Sequence, residues 1–464
     1  MATELGSAVG LRSERGPILG ALMLSTSLVA LDSTIIATAV LTITDQLGGF
    51  AQFPWLFSIY LLAQAVTVPI YGKLADMLGR KPLMLFGIAV FALGSLLCGV
   101  ATSMPALIAF RGVQGIGAGA VSPIAMTIAG DIYTVQERAK VQAYLASVWA
   151  ASSVLGPLLG GVFSEYVSWR WIFLINLPLA ALAAWMILRK FTESAPRQSH
   201  RIDYLGAGLL TLGAGALLLG LLEGGQAWAW DAPASIGLFA GGLLVLATFV
   251  VVERRAANPI LPLWVFTRRV VIASSLASLL VGAVLLGLTS YVPTFAQGVL
   301  GSGALLAGLT AGALTLGWPV TASQAGKVYL RIGFRATGLI GSVLAVLGAA
   351  SLLLVDKDSG LLQVAAGCFV VGMGMGLVAT PTLIAAQTSA EWSERGVVTA
   401  TNMFARSLGS AVGVAVFGAL VNARIGGVDH PSAAQLAPAV HLVFVGVAAM
   451  AVVLIAATAC MPRR

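Results

Sequence analysis

An all-α membrane protein with fourteen transmembrane helices is the fold class this sequence predicts, and three observations predict it. Apolar residues fill 58% of the 464 positions and charged residues only 9%, against about 45–50% and about 25% in soluble domains. This apolar surplus is divided along the whole chain into blocks of about 20 residues, the length a helix needs to cross the hydrocarbon layer. Nearly all the basic residues fall between the blocks.

The blocks, numbered as helices 1 to 14, run over 17–41, 53–71, 82–101, 105–129, 140–164, 170–188, 204–222, 235–252, 270–292, 304–323, 336–355, 361–384, 399–421 and 440–460. Sorting Lys and Arg by alternate loops puts twenty-one of the 26 on one side. Arg170, Lys357 and Arg424 fall on the other, and Arg111 and Arg406 lie within blocks. A miscounted block would scramble this asymmetry. Cytoplasmic loops keep the positive excess, so both termini are expected in the cytoplasm, with residues 1–16 as a short tail. Arg12 and Arg15 before the first block and Ala37-Thr38-Ala39 within it have the outline of a secretory signal. The block's length and its Asp32 favour a retained first helix instead.

An internal repeat organises the blocks. The loop after helix 2 reads Gly72-Lys73-Leu74-Ala75-Asp76-Met77-Leu78-Gly79-Arg80-Lys81, and the loop after helix 10 reads Gly326-Lys327-Val328-Tyr329-Leu330-Arg331-Ile332-Gly333-Phe334-Arg335. The Gly-Lys start recurs, as does the glycine seven residues on. Residues 17–190 and 269–464 then read as two six-helix bundles, with 191–268 holding two inserted helices and their cytoplasmic linkers. Parallel repeats with a site between them near mid-membrane are one transporter architecture. Tight turns rich in Gly, Lys and Arg could also match by chance.

Several function classes are excluded. The formal charge of +8 sits in short clusters with no basic face, so no nucleic-acid partner is expected. Cys98, Cys368 and Cys460 lie in apolar blocks without CxxC spacing, and His200, His430 and His441 are scattered. Neither a disulfide framework nor a metal site is expected. No phosphate-binding loop of the Walker type is present and no catalytic triad can be assembled, so neither ATP drive nor enzyme activity is expected, and no cofactor.

Several stretches closely resemble one family. The turn from Gly72 to Lys81 looks like the signature turn of the major facilitator superfamily. Arg111-Gly112-Val113-Gln114-Gly115-Ile116-Gly117 on helix 4 is similar to its proton-transfer motif. Gly156-Pro157-Leu158-Leu159-Gly160-Gly161 on helix 5 looks like its antiporter motif. Leu31-Asp32-Ser33-Thr34-Ile35-Ile36 and Trp169-Arg170-Trp171-Ile172-Phe173-Leu174-Ile175-Asn176-Leu177-Pro178 resemble signatures of the fourteen-helix drug/proton antiporter branch. The five motifs occur in the right order, and the resemblance extends over nearly the whole chain. The resemblance implies the major facilitator fold and a monomeric, multi-pass transporter of the cell membrane. Its implied task is proton-coupled efflux of amphipathic, cationic small molecules. Export of an endogenous lipid, siderophore or antibiotic is the alternative, and a solute/proton symporter ranks below it. Two departures stand out: Ala37 and Leu41 replace the Asn and Pro usual in the helix 1 pattern, and Leu330 replaces the acid in the second signature turn.

Asp32 is the one carboxylate well inside a predicted span, and burying it without a role costs several kcal/mol, about 2.5–3.5 on insertion scales. It lies nine residues before the outer end of helix 1, roughly 13 Å by the helical rise, and Arg111 lies six residues into helix 4, roughly 9 Å. These matching depths nominate Arg111 as its partner and Gln114, one turn on, as the residue that orients the arginine. An arginine favours an acid's ionised form and dry surroundings its neutral form, so a change of access would switch proton occupancy. Arg111 serving only as a donor to backbone carbonyls remains the alternative.

The expected cycle has Asp32 accept a cationic substrate that a proton then displaces. On helix 5, Gly156, Pro157, Gly160 and Gly161 permit close approach and a bend, either as ordinary packing or as a seal between halves. The resemblance implies that the turn with Gly72, Asp76, Gly79 and Arg80 is a conformational latch. For substrate, the candidates are Asp32, Tyr60, Gln64, Asn402 and Arg406, with Asn402, Arg406, Gly409 and Gly413 spaced as in the family. Trp55 and Tyr291 fit either the cavity or the interfacial aromatic belt, the belt being favoured.

Overall fold

A computed structural model of the chain describes residues 10–133, 135–193, 203–256, 259, 263–391, 395–426, 428 and 431–462. Fourteen of the described helices are long and apolar enough to cross a membrane. Helix 1 is Gly16–Leu47, helix 2 Phe53–Leu78, helix 3 Arg80–Gly99 and helix 4 Met104–Ile132. Helix 5 is Val135–Val162, helix 6 Asn176–Lys190, helix 7 Tyr204–Glu223 and helix 8 Pro233–Glu253. Helix 9 is Arg269–Gly298, helix 10 Ala304–Ile332 and helix 11 Phe334–Leu353. Helix 12 is Leu361–Thr388, helix 13 Arg395–Ile425 and helix 14 Ala433–Ala459.

The sequence ends several of these helices too early, because charged residues let a helix run on into water where an apolar block stops. Helix 1 continues past residue 41 to Leu47, with a tighter 3₁₀ turn at Ile36–Ala39. The expected loop after helix 2 is itself helical up to Leu78, and the chain reverses at the single residue Gly79. Helix 10 likewise runs to Ile332 and turns at Gly333. Gly79 has φ 104° and Gly333 φ 87°, a region that residues with a Cβ avoid. The two sequence-related segments therefore make the same one-residue turn.

Packing is alike in the two sets of six helices. Helix 4 packs on helices 2 and 3, and helix 1 on helices 5 and 6. In the other set helix 12 packs on helices 10 and 11, and helix 9 on helices 13 and 14. The sets meet where helix 2 crosses helix 13 and helix 5 crosses helix 10. Helix 7 lies over the first of these crossings. Its Leu218 and Leu222 pack with Leu62 and Val66 of helix 2 and Ala411 and Ala415 of helix 13. Helix 8 packs behind it on helix 7, and is the least buried of the fourteen. Large apolar side chains such as Leu93, Trp185, Leu244 and Leu347 are exposed on the outside of the bundle, the surface a lipid tail covers.

Among the described residues, the contacts between the two sets lie toward the end away from the termini. Asn422 donates to the Ala51 carbonyl at 2.7 Å, Gln297 to that of Thr38 at 3.2 Å, and Ser58 to that of Ala411 at 3.1 Å. Phe53 packs on Tyr291 with ring centroids 5.2 Å apart.

Candidate functional site

Asp32 lies sixteen residues into helix 1, about 24 Å along it at the helical rise, and none of its surface is exposed. Its Oδ2 takes a hydrogen bond from Arg111 Nη1 at 2.6 Å. Its Oδ1 takes one from Gln114 Nε2 at 2.7 Å and one from Asn176 Nδ2 at 3.2 Å. Arg111 also donates through Nε to the Leu56 carbonyl at 3.0 Å and through Nη1 to Gln114 Oε1 at 2.6 Å. Its guanidinium lies 4.1 Å from the centroid of the Tyr60 ring. Ser95 Oγ accepts from both Gln114 and Asn176. Stripping water from two ions costs several kcal/mol each, and the pair survives burial because further hydrogen bonds satisfy it.

Glycines allow this convergence. A side chain at Gly115 would strike the Tyr60 backbone on helix 2, one at Gly117 the Phe91 backbone on helix 3, and one at Gly94 the backbone of Gln114. Helix 4 is thus pressed between helices 2 and 3, which puts Arg111 and Gln114 within reach of Asp32. Five helices feed one cluster: 1, 2, 3, 4 and 6.

Helix 5 uses its glycines in two directions. Gly156 and Gly160 lie against Thr34, Ile35 and Thr38 of helix 1, and Gly161 lies against Ala304 and Leu305 of helix 10. Gly308 of helix 10 faces Pro157 and Thr38 in return. Glu165 accepts from the Leu305 amide at 3.3 Å, and Thr315 donates to the Ser153 carbonyl at 3.1 Å. Helices 1, 5 and 10 therefore meet backbone to backbone at the end away from the termini. Helix 13 repeats half of this device, with Gly409 on Leu279 and Gly413 on Ala283 of helix 9.

At the opposite end, Arg80 pairs with Asp131 of helix 4 at 3.1 Å. Glu193 accepts from the backbone amides of Arg80 and Lys81, so a carboxylate does meet the start of helix 3. It is supplied from beyond helix 6. Gly72 and Asp76 fall on helix 2, but their surroundings lie outside the described residues. Gly79 and Arg80 thus contact helix 4 and the segment that follows helix 6.

The sequence matches the model of the Major Facilitator Superfamily over residues 22–414. This chain belongs to that superfamily. It is 36% identical to the multidrug transporter protein MdtP of Bacillus subtilis (strain 168) over 420 residues, 90% of this chain and 78% of the relative. It is also 36% identical to multidrug resistance protein 3 of the same organism over 397 residues, 86% of this chain and 78% of that one. Among solved structures, a bacterial homologue of the human lysosomal transporter Spinster, inward-facing and unoccupied, superposes with TM-score 0.71 at 17% identity, over 96% of each chain. A D-xylose-proton symporter gives 0.68 at 14% identity, over 97% of this chain and 99% of that one. The protein is a multi-pass membrane transporter of the major facilitator fold.

Within this superfamily member, the residues nominated from sequence separate into groups. Asp32, Arg111 and Gln114 come together as expected. Tyr60 joins them as the ring beneath Arg111 and is 1% exposed. Asn402 is engaged between two helices of the second set. Its amide donates to the carbonyl and hydroxyl of Ser274 and accepts from Ser278, tying helix 13 to helix 9. Gln64, one turn beyond Tyr60, is half-buried. Tyr291 is fully buried against Phe53 rather than in an aromatic belt, and Trp55 is tied to helix 7, its indole donating to Glu223 at 2.8 Å.

Both carboxylate oxygens of Asp32 are bonded within the cluster, and the residue is buried. Sequence reasoning missed Asn176 as a partner of Asp32 and Ser95 as the acceptor shared by Gln114 and Asn176. The Trp169–Pro178 motif contained the first, whereas nothing distinguishes Ser95 from other serines in apolar blocks. Among the described residues no group of three His, Cys, Asp or Glu could hold a metal ion.

Proposed function

We propose that this transporter exports amphipathic small molecules in exchange for protons, with Asp32 as the proton site and Arg111, Gln114 and Asn176 as the groups that set its occupancy. The observation that carries the reading is the fully enclosed Asp32–Arg111 pair at 2.6 Å, a charge cluster inside a span. An intramembrane acid with such a partner is characteristic of a proton relay. The names of the relatives, multidrug transporters both, support efflux as the direction. With both termini in the cytoplasm, as the basic loops argue, the contacts joining the halves lie on the outer side and substrate enters from within.

The cluster is neutral while Asp32 is ionised. A proton taken from outside discharges the carboxylate and releases its hold on Arg111, which keeps the Leu56 carbonyl, Gln114 and the face of Tyr60. Asn176 is suited to both states: its Nδ2 donates to the carboxylate, while its buried Oδ1 has no partner among the described residues. Turning the amide over would present that oxygen to a protonated Asp32. Discharge loosens helix 1 from helix 4, and helix 1 is the element that meets helices 5 and 10 through Thr34 and Thr38. Proton occupancy thereby reaches the seal between halves, and alternating access follows from rocking one half against the other.

Purified protein in vesicles tests this with an imposed pH gradient and a fluorescent amphipath. Wild type should move dye up its gradient against the proton flow, and Asp32→Asn should not. Dye and protons moving in the same direction would establish symport and overturn the reading, as would gradient-driven export by Asp32→Asn.

A further inference from the structure

Two arginines lie inside spans, and the cluster at Asp32 uses only Arg111. Arg406 is eleven residues into helix 13, and Trp318 is fourteen residues into helix 10. Both stand near mid-membrane. The Arg406 guanidinium lies 5.5 Å from the centroid of the Trp318 ring. Among the described residues it makes no hydrogen bond and no ion pair, and its Nε is enclosed without a partner. Helices 10 and 13 belong to the same half but do not pack extensively on each other, so this side chain reaches across the space between them. Its neighbours on helix 13 are committed elsewhere, Asn402 to the serines of helix 9 and Gly409 to the Leu279 backbone.

An arginine stays protonated in any protein environment. Asp32 and Arg111 cancel, so the mid-membrane side chains described here carry one net positive charge, and it is at Arg406. A cationic substrate would meet uncompensated repulsion there, whereas a carboxylate or similar anion would supply the acceptors the guanidinium lacks. The indole beside it offers an apolar face for the body of such a molecule.

We infer that Arg406 and Trp318 form the substrate head-group site and that it selects amphipathic anions, of the aryl or alkyl carboxylate class, over cations of the same shape. This rests on the transport reading above and names its substrate class.

Three probes with one aromatic body test it: 1-pyrenebutyrate, its neutral methyl ester, and 4-(1-pyrenyl)butyl-trimethylammonium. Binding to the purified full chain is read without any gradient, by energy transfer from tryptophan to pyrene. Wild type should bind the carboxylate at least about tenfold more tightly than the ammonium, the discrimination expected of one desolvated charge pair. Arg406→Gln should erase that preference while changing ester binding less than about threefold, and Arg406→Lys should keep part of it. An ammonium preference in wild type overturns the inference, and so does an unchanged ranking in Arg406→Gln. If Arg406→Gln does not fold, the wild-type ranking and Arg406→Lys decide. Failure of the transport reading shows separately, as absence of pH-driven flux for all three probes whatever their binding order.

Discussion

Asp32 and Arg111, 79 positions apart in sequence, meet at 2.6 Å with about 1% of either side chain exposed. The pair is held on every side, by Gln114 and Asn176 on the acid and by the Leu56 carbonyl and the Tyr60 ring on the base. Whatever changes one partner is felt by the other, because their burial shields the pair from bulk solvent.

Removing the base alone leaves an enclosed carboxylate uncompensated. Arg111→Leu should therefore lower stability by about 3–5 kcal/mol, or force Asp32 to hold a proton permanently. Thermal unfolding in detergent at two pH values separates these outcomes. The double variant Asp32→Asn with Arg111→Leu should recover much of the lost stability while remaining inactive in pH-driven transport.

Asn176→Leu removes one donor to the carboxylate and keeps the volume. Its loss should cost about 1.5–3 kcal/mol of hold on the ionised form. The measurable result is a pH profile of transport displaced toward higher pH, with substrate affinity unchanged. A merely structural role would lower expression or melting temperature and leave the profile where it was.

Gly156→Leu drives a side chain into Thr34 and the backbone of helix 1. Overpacking of this kind costs about 1–3 kcal/mol. At this junction the cost should appear as proton leak in vesicles without substrate, since helices 1, 5 and 10 can no longer close together. Gly156→Ala should leak less.

Gly79→Ala and Gly333→Ala place a Cβ where φ is 104° and 87°, at a cost of about 1–3 kcal/mol each. Gly79→Ala should cost more, because its Cβ also meets the Glu193 carboxylate that holds the start of helix 3. Melting curves of the two variants give the comparison directly.

Much of the fold was legible because the bilayer leaves a chain few options. Block length and the sidedness of Lys and Arg gave the number of spans, and a helical rise of about 1.5 Å per residue was enough to match Asp32 with Arg111 in depth. Depth does not say which way a side chain faces, so Tyr60 and Asn402 looked available for substrate although one lies under Arg111 and the other is bonded to helix 9. Ser95 was invisible because a serine in a membrane helix ordinarily bonds back to its own turn. The ends of helices 2 and 10 were misjudged for a similar reason. Hydropathy records where lipid stops, and Lys73 through Leu78 are as good at continuing a helix in water as apolar residues are in lipid.

Helix 7 makes the two flanks of the molecule unequal. Where helices 2 and 13 cross, Leu218 and Leu222 lie over both, and any swing of one half must drag its apolar surface along this splint. The crossing of helices 5 and 10 has no comparable cover from helices 7 and 8. The protein consequently presents the surrounding lipid with one blanketed seam and one bare.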